Sequence, residues 1–128
     1  LGVSIDGASK ETYEKLRLGG KWEKINENLE FISQLKQKHN FRFILHFVVQ
    51  KDNYHEMEDI IMLGKKYNAD RVWLNKIEDW NVSDRFADMD IFNTGHPLHT
   101  DYKDKLSKIK PYLGFEKKPI VEIPTLNN

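Results

Sequence analysis

Apolar Val3 and Ile5 alternate with polar Ser4 and Asp6 at the start of the chain, and this period of two predicts a strand over Leu1 to Asp6. Gly7 then permits a turn. Ser9 is placed to cap a helix, and Glu11 falls in its first turn, where the positive end of the helix dipole favours an acid. After Gly19-Gly20, Trp22, Ile25, Leu29, Ile32 and Leu35 recur at helical spacing with Glu, Lys and Asn between them, which predicts a second helix lying on a sheet. The dense aromatic and β-branched run from Phe41 to Val49 reads as a strand, Arg42 to Gln50, buried on both faces, with His46 as its polar interior position. Asn53 with Glu56 three residues later has the form of a capping box. Met57, Ile60, Ile61, Gly64 and Tyr67 then make the apolar stripe of a further helix, stopped at Asn68, and Arg71 to Ile77 supplies a third strand.

Strand and helix signals that alternate at crossover length predict an α/β fold of three parallel strands with right-handed helical connections. Past Trp80 the pattern weakens. Residues 81–100 mix Asp, Asn, Gly95 and Pro97 with scattered aromatics and read as a loop with at most one helical turn. Tyr102 to Tyr112 predicts a short helix ended by Pro111 and Gly114, and Ile120 to Ile123 is either an added strand or part of a loose end. The expected organisation is therefore a β/α unit over residues 1–80 and a loop-rich C-terminal extension over 81–128.

Composition narrows the function classes. The 128 residues suffice for one domain and a modest core. Twenty acidic residues balance twenty basic ones, so no global field favours nucleic acid or an anionic membrane. No apolar run approaches the length that spans a bilayer, and no signal-peptide pattern opens the chain, so a cytoplasmic location is the default expectation. With no cysteine in the sequence, disulfides and thiolate metal sites within it are excluded.

In a parallel sheet the polar side chains at strand carboxyl ends share one side, the side on which β/α proteins place their ligands. Ser4 and Asp6 are the first candidates, pointing to one face of the first strand at its end; their structural alternatives are a backbone cap and the fixing of the Gly7 turn. Arg17 lies one helical turn beyond Tyr13 and can reach back over the strand end with a fork that matches a carboxylate. Gln50 and Asn53 follow the second strand, as mouth-lining or as turn residues. Asn75, Glu78, Asp79 and Trp80 end the third. His96, His99 and Asp101 are of metal-ligand type, but two histidines three apart in a Pro-containing loop do not fix a metal, and no metal ligands are assigned.

The run Val3-Ser4-Ile5-Asp6-Gly7, with Thr12-Tyr13, Arg17 and Gly19-Gly20, resembles the middle of the radical S-adenosylmethionine (SAM) enzymes, especially the subgroup that includes SPASM-type proteins with an additional C-terminal cluster domain. Phe47-Val48-Val49-Gln50-Lys51-Asp52-Asn53-Tyr54-His55-Glu56-Met57 is similar to the next strand and helix of the same proteins, so the resemblance covers residues 1–80. It implies the C-terminal half of a partial (β/α)6 TIM-like barrel, from an Fe-S oxidoreductase-like enzyme. In such an enzyme a reduced 4Fe-4S cluster cleaves SAM to a 5'-deoxyadenosyl radical that abstracts hydrogen from a substrate. By the resemblance, Ser4, Asp6, Arg17, Gln50 and Asn75 would contact SAM, and Asn53, Glu78, Asp79 and Trp80 would lie nearer the substrate. The family's Cys-x3-Cys-x2-Cys loop, its Gly-Gly-Glu stretch and the SPASM cysteines are absent here, so the chain is expected to be a fragment, inactive and without cluster or SAM by itself. Its partners would be the missing N-terminal half of the same protein and an unknown substrate, with self-association through the sheet edge that a missing strand exposes. Two other classes are compatible with the residues: a non-catalytic α/β binding or partner domain, and a small metal-dependent hydrolase built on His96, His99 and Asp101.

Overall fold

A computed structural model describes residues 1–79, 84–114 and 118–123. The element order is β1 (Gly2–Ser4), α1 (Lys10–Leu16), α2 (Trp22–Lys38), β2 (Ile44–Val49), a 3₁₀ turn (Tyr54–Glu56), α3 (Met57–Lys66), β3 (Arg71–Lys76), α4 (Phe86–Met89), α5 (His99–Ile109), a second 3₁₀ turn (Lys110–Tyr112) and β4 (Ile120–Glu122). The protein is α/β, and its strands form one sheet in the order β1-β2-β3-β4 with every neighbouring pair parallel. The three strands expected from the sequence are thus joined by a fourth. The alternating piece Ile120 to Ile123 is too short for its pattern to distinguish a strand from a loose end, and parallel pairing of Val121 with Val72 makes it a strand. The helix expected at Tyr102 starts earlier, at His99, and Pro111 sits inside the 3₁₀ turn that follows it.

Register defines the two faces. Val3, Leu45, Val72 and Val121 form one row across the sheet, and Phe47 pairs with Leu74 on the same side. These residues are buried, apart from half-buried Val3, and they pack with Leu29 of α2, Ile60 and Ile61 of α3, and Ile109 of α5. Gly64 is the point of closest approach: a Cβ there would lie 2.7 Å from Val72 Cγ2, so α3 rests on β3 only because the position is bare. The opposite face carries the alternate residues, Ser4 exposed and Ile44, His46, Val48, Arg71, Trp73 and Asn75 half-buried. The expectation that β2 is buried on both faces is therefore corrected. Its apolar density comes from Ile44 and Val48 on a half-exposed face, which periodicity alone cannot distinguish from a covered one.

Candidate site at the carboxyl ends of the strands

The carboxyl ends of β1, β2 and β3 lie on one side of the sheet, as parallel pairing requires. Asp6 sits where β1 leaves the sheet. Its Oδ1 accepts the Val48 N–H at 3.1 Å, and its Oδ2 lies 3.0 Å from Arg17 Nη2. Arg17 reaches it because α1 is only seven residues long and packs tightly on the turn before it. A Cβ on Gly7 would meet Tyr13 N at 2.5 Å, so glycine is required there for steric rather than conformational reasons. Ser9 caps α1 as expected, accepting the Thr12 N–H at 3.3 Å.

Asp6 and Arg17 meet in this arrangement, while Ser4 and Asn75 stand apart on the same face, on β1 and β3. Ser4 pairs across the sheet with His46, and Asn75 pairs with Val48, the residue whose amide Asp6 holds, so these groups occupy neighbouring rows at one end of the sheet. Gln50 and Asn53 turn inward instead. Gln50 Oε1 accepts the Asp52 N–H at 3.0 Å, closing the turn after β2. Asn53 is fully buried: its Oδ1 takes the Gln50 N–H at 2.8 Å, while its Nδ2 donates to Asp6 O at 3.1 Å and Val48 O at 2.8 Å. No capping box forms, because Asn53 spends its side chain joining two strand ends and Glu56 reaches the β1–α1 turn. Glu78 and Asp79 are exposed beyond β3, and Trp80 lies outside the described residues.

Two residues absent from the sequence-derived set stand on the same half-exposed face. His46 and Trp73 stack with ring centroids 5.4 Å apart, and a Cβ on Gly2 would come within 3.0 Å of His46 Nε2. Beyond Trp73, Arg71 Nη1 lies 3.1 Å from Glu122 Oε1, a charge contact whose geometry is not that of a hydrogen bond. Strict alternation along β2 and β3 places His46, Trp73 and Asn75 on one face; the assumption that both faces of β2 were buried hid it.

The His96 region serves the loop it belongs to. His96 Nδ1 accepts the Leu98 N–H at 3.0 Å and its Nε2 lies 2.6 Å from Asp88 O, while His99 Nδ1 lies 2.8 Å from Ile91 O. Since a carbonyl can only accept, His96 carries its proton on Nε2 and His99 on Nδ1. Asp101 accepts the Tyr54 hydroxyl at 2.5 Å. Burial first, and then that bond to a carboxylate, push the Tyr54 phenol up to about 12. Among the described residues no three His, Asp or Glu side chains converge as a ligand set.

Chemically, the rim offers a guanidinium with unused donors, a carboxylate that orients it, a hydroxyl and an amide, above an aromatic pair. That set suits a ligand with a carboxylate and a polar planar group. No protein-family model, curated protein or solved structure matches the chain.

Proposed function

We propose that this chain is the C-terminal half of a radical SAM-type partial barrel, with the half-exposed sheet face as barrel interior and the Asp6–Arg17 rim as part of the SAM site. The observation that carries the reading is the one-sided sheet: parallel strands put helices and apolar residues on one face, and Ser4, His46, Trp73 and Asn75 on the other. An inward polar face with the ligand at the strand carboxyl ends is how β/α barrels build sites. Arg17 would hold the ligand carboxylate, oriented by Asp6, with Ser4 and Asn75 as hydrogen-bonding partners for its sugar and base. The donor set does not fit a 4Fe-4S cluster, because the sequence contains no cysteine and the paired or backbone-bonded histidines form no substitute. In this reading the cluster, which supplies the electron for SAM cleavage, belongs to a cysteine-bearing half outside these residues.

The test uses the polypeptide that joins this chain to a Cys-x3-Cys-x2-Cys half. Reconstituted with iron and sulfide and then reduced, it should form 5'-deoxyadenosine from SAM and lose most of that activity on Arg17→Ala. The 128-residue chain treated in the same way should form none. Absence of SAM cleavage by the joined protein, or turnover by the chain alone, overturns the proposal.

A further inference from the structure

Glu56 is 5% exposed, and its carboxylate accepts hydrogen bonds from the segment between the two halves of the rim. Its Oε1 accepts the Ala8 N–H at 2.7 Å; its Oε2 accepts Ser9 Oγ at 2.6 Å and Thr12 Oγ1 at 3.1 Å. From the same turn, Asn53 holds Asp6 O. The turn after β2 thus grips the chain at Asp6, Ala8, Ser9 and Thr12, bracketing Gly7, where no side chain fits, and fixing the direction in which α1 leaves. Arg17 ends α1 as its C-cap, so where α1 points determines whether the guanidinium returns to Asp6. Among the described residues, the imidazole ring nearest the carboxylate is that of exposed His55, with Nε2 3.8 Å from Oε2. A buried carboxylate held by an amide and two hydroxyls, rather than by a close ion pair, is matched to one arrangement of those donors and tolerates little displacement of the turn.

We infer that Glu56 is a positioning residue for the Asp6–Arg17 rim: by clamping Ala8, Ser9 and Thr12 it sets α1 so that Arg17 meets Asp6. Its consequence for affinity rests on the ligand reading above; its consequence for geometry does not. Loss of the clamp frees the turn, separates Arg17 from Asp6 and leaves the Asp6 carboxylate to find another partner. Val48 N–H, which donates to Asp6 Oδ1, is the local reporter.

The experiment compares Glu56→Ala, Glu56→Gln and the core variant Ile61→Val in the isotope-labelled chain. Ile61 is fully buried on α3 and lowers stability without touching the rim. In Glu56→Ala the Val48 amide and Arg17 guanidinium signals should shift, and the Val48 amide should exchange about tenfold faster than in an Ile61→Val protein compared at equal global stability. Glu56→Gln keeps an acceptor for Ala8 N–H and loses the carboxylate that takes both hydroxyls, so it should fall between wild type and Glu56→Ala. Should Glu56→Ala not fold, Glu56→Gln carries the same comparison. Unmoved Val48 and Arg17 signals in a folded Glu56 variant overturn the inference, as does an equal shift in Ile61→Val. Titration of the polypeptide that joins this chain to the Cys-x3-Cys-x2-Cys half with S-adenosylhomocysteine then separates the two claims: the wild-type joined protein should bind it at least about tenfold more tightly than its Glu56→Ala variant. Failure of the wild type to bind, with the signal shifts as expected, overturns the ligand reading and leaves the positioning role standing. Equal binding by both overturns the link from rim geometry to affinity.

Discussion

Asp70 and Asp6 each accept an amide of the β2 segment, Phe43 N–H at 2.7 Å for the first and Val48 N–H at 3.1 Å for the second, yet they serve opposite ends of the sheet. Asp70 stands where β3 begins. There Lys36 of α2 bonds both its carboxylate and the carbonyl of Asn68, so one carboxylate ties a helix end to the entries of two strands. Burial alone would raise the Asp70 carboxyl, but the Lys36 hydrogen bond and the Phe43 amide outweigh it and hold it below the usual carboxylate range. A depressed value in the folded state means stability that is present above the unfolded value, roughly 3.9, and is lost as pH falls through the folded one. Asp70→Asn should therefore cost about 1.5–3 kcal/mol at neutral pH, the scale of a hydrogen bond to a charged group. The cost should shrink toward pH 2, and urea unfolding of both proteins across that range measures it. A penalty that does not vary with pH would locate the effect in packing. Asp6 ties one strand end to a partly exposed arginine, where an incoming anion can compete for the guanidinium.

Helices and strands were legible where their periods were long. The stripe from Trp22 to Leu35 and the run from Met57 to Tyr67 became α2 and α3, and Asn68 stops α3 with a φ of 60°, a conformation asparagine tolerates. The parallel pairing of the first three strands followed from crossover spacing. Short elements and long-range bonds were harder to read. A three-residue strand such as β4 has too few positions to show a period, and the Asn53–Glu56 spacing that suggested a helix cap serves contacts more than 40 residues away, from Asn53 to Asp6 and from Glu56 to Ala8 and Thr12. Local spacing carries no information about such partners. The bond between Tyr54 and Asp101 is of the same kind, joining the turn after β2 to α5. The raised phenol favours the folded state while Tyr54 is protonated, so its contribution is fully present below the unfolded value near 10 and is lost as pH rises through about 12. Tyr54→Phe leaves the Asp101 carboxylate without its buried donor and should destabilise by about 1.5–3 kcal/mol at neutral pH. The gap between variant and wild type should close in denaturant titrations above pH 10; a gap that persists unchanged to pH 12 would assign it to packing of α5 instead.

At the scale of the whole molecule, the sheet's ends decide how the chain behaves in solution. β1 stands at one edge of the order β1-β2-β3-β4, and four strands do not close a barrel. Ile5 N–H donates to His46 O at 2.8 Å, so the odd residues of this segment face β2 and, by the period of two, the amides of Gly2 and Ser4 face away from it. An edge of this kind recruits another strand unless something blunts it. Here little does: β1 is short, but it carries no charged residue and no proline, and Leu1 beside it is 61% exposed. We expect the isolated chain to pair through this edge with a second copy, in the place that a preceding barrel strand would take in the proposed enzyme. Sedimentation at high micromolar concentration should show a dimer in exchange with monomer. Ser4→Pro removes an outward amide while leaving the bonds to β2 in place, so it should return the chain to monomer with its melting transition little changed. A wild-type chain that stays monomeric, or a Ser4→Pro chain that dimerises equally well, would show that β1 is not the associating edge and would turn attention to exposed Phe31 on α2.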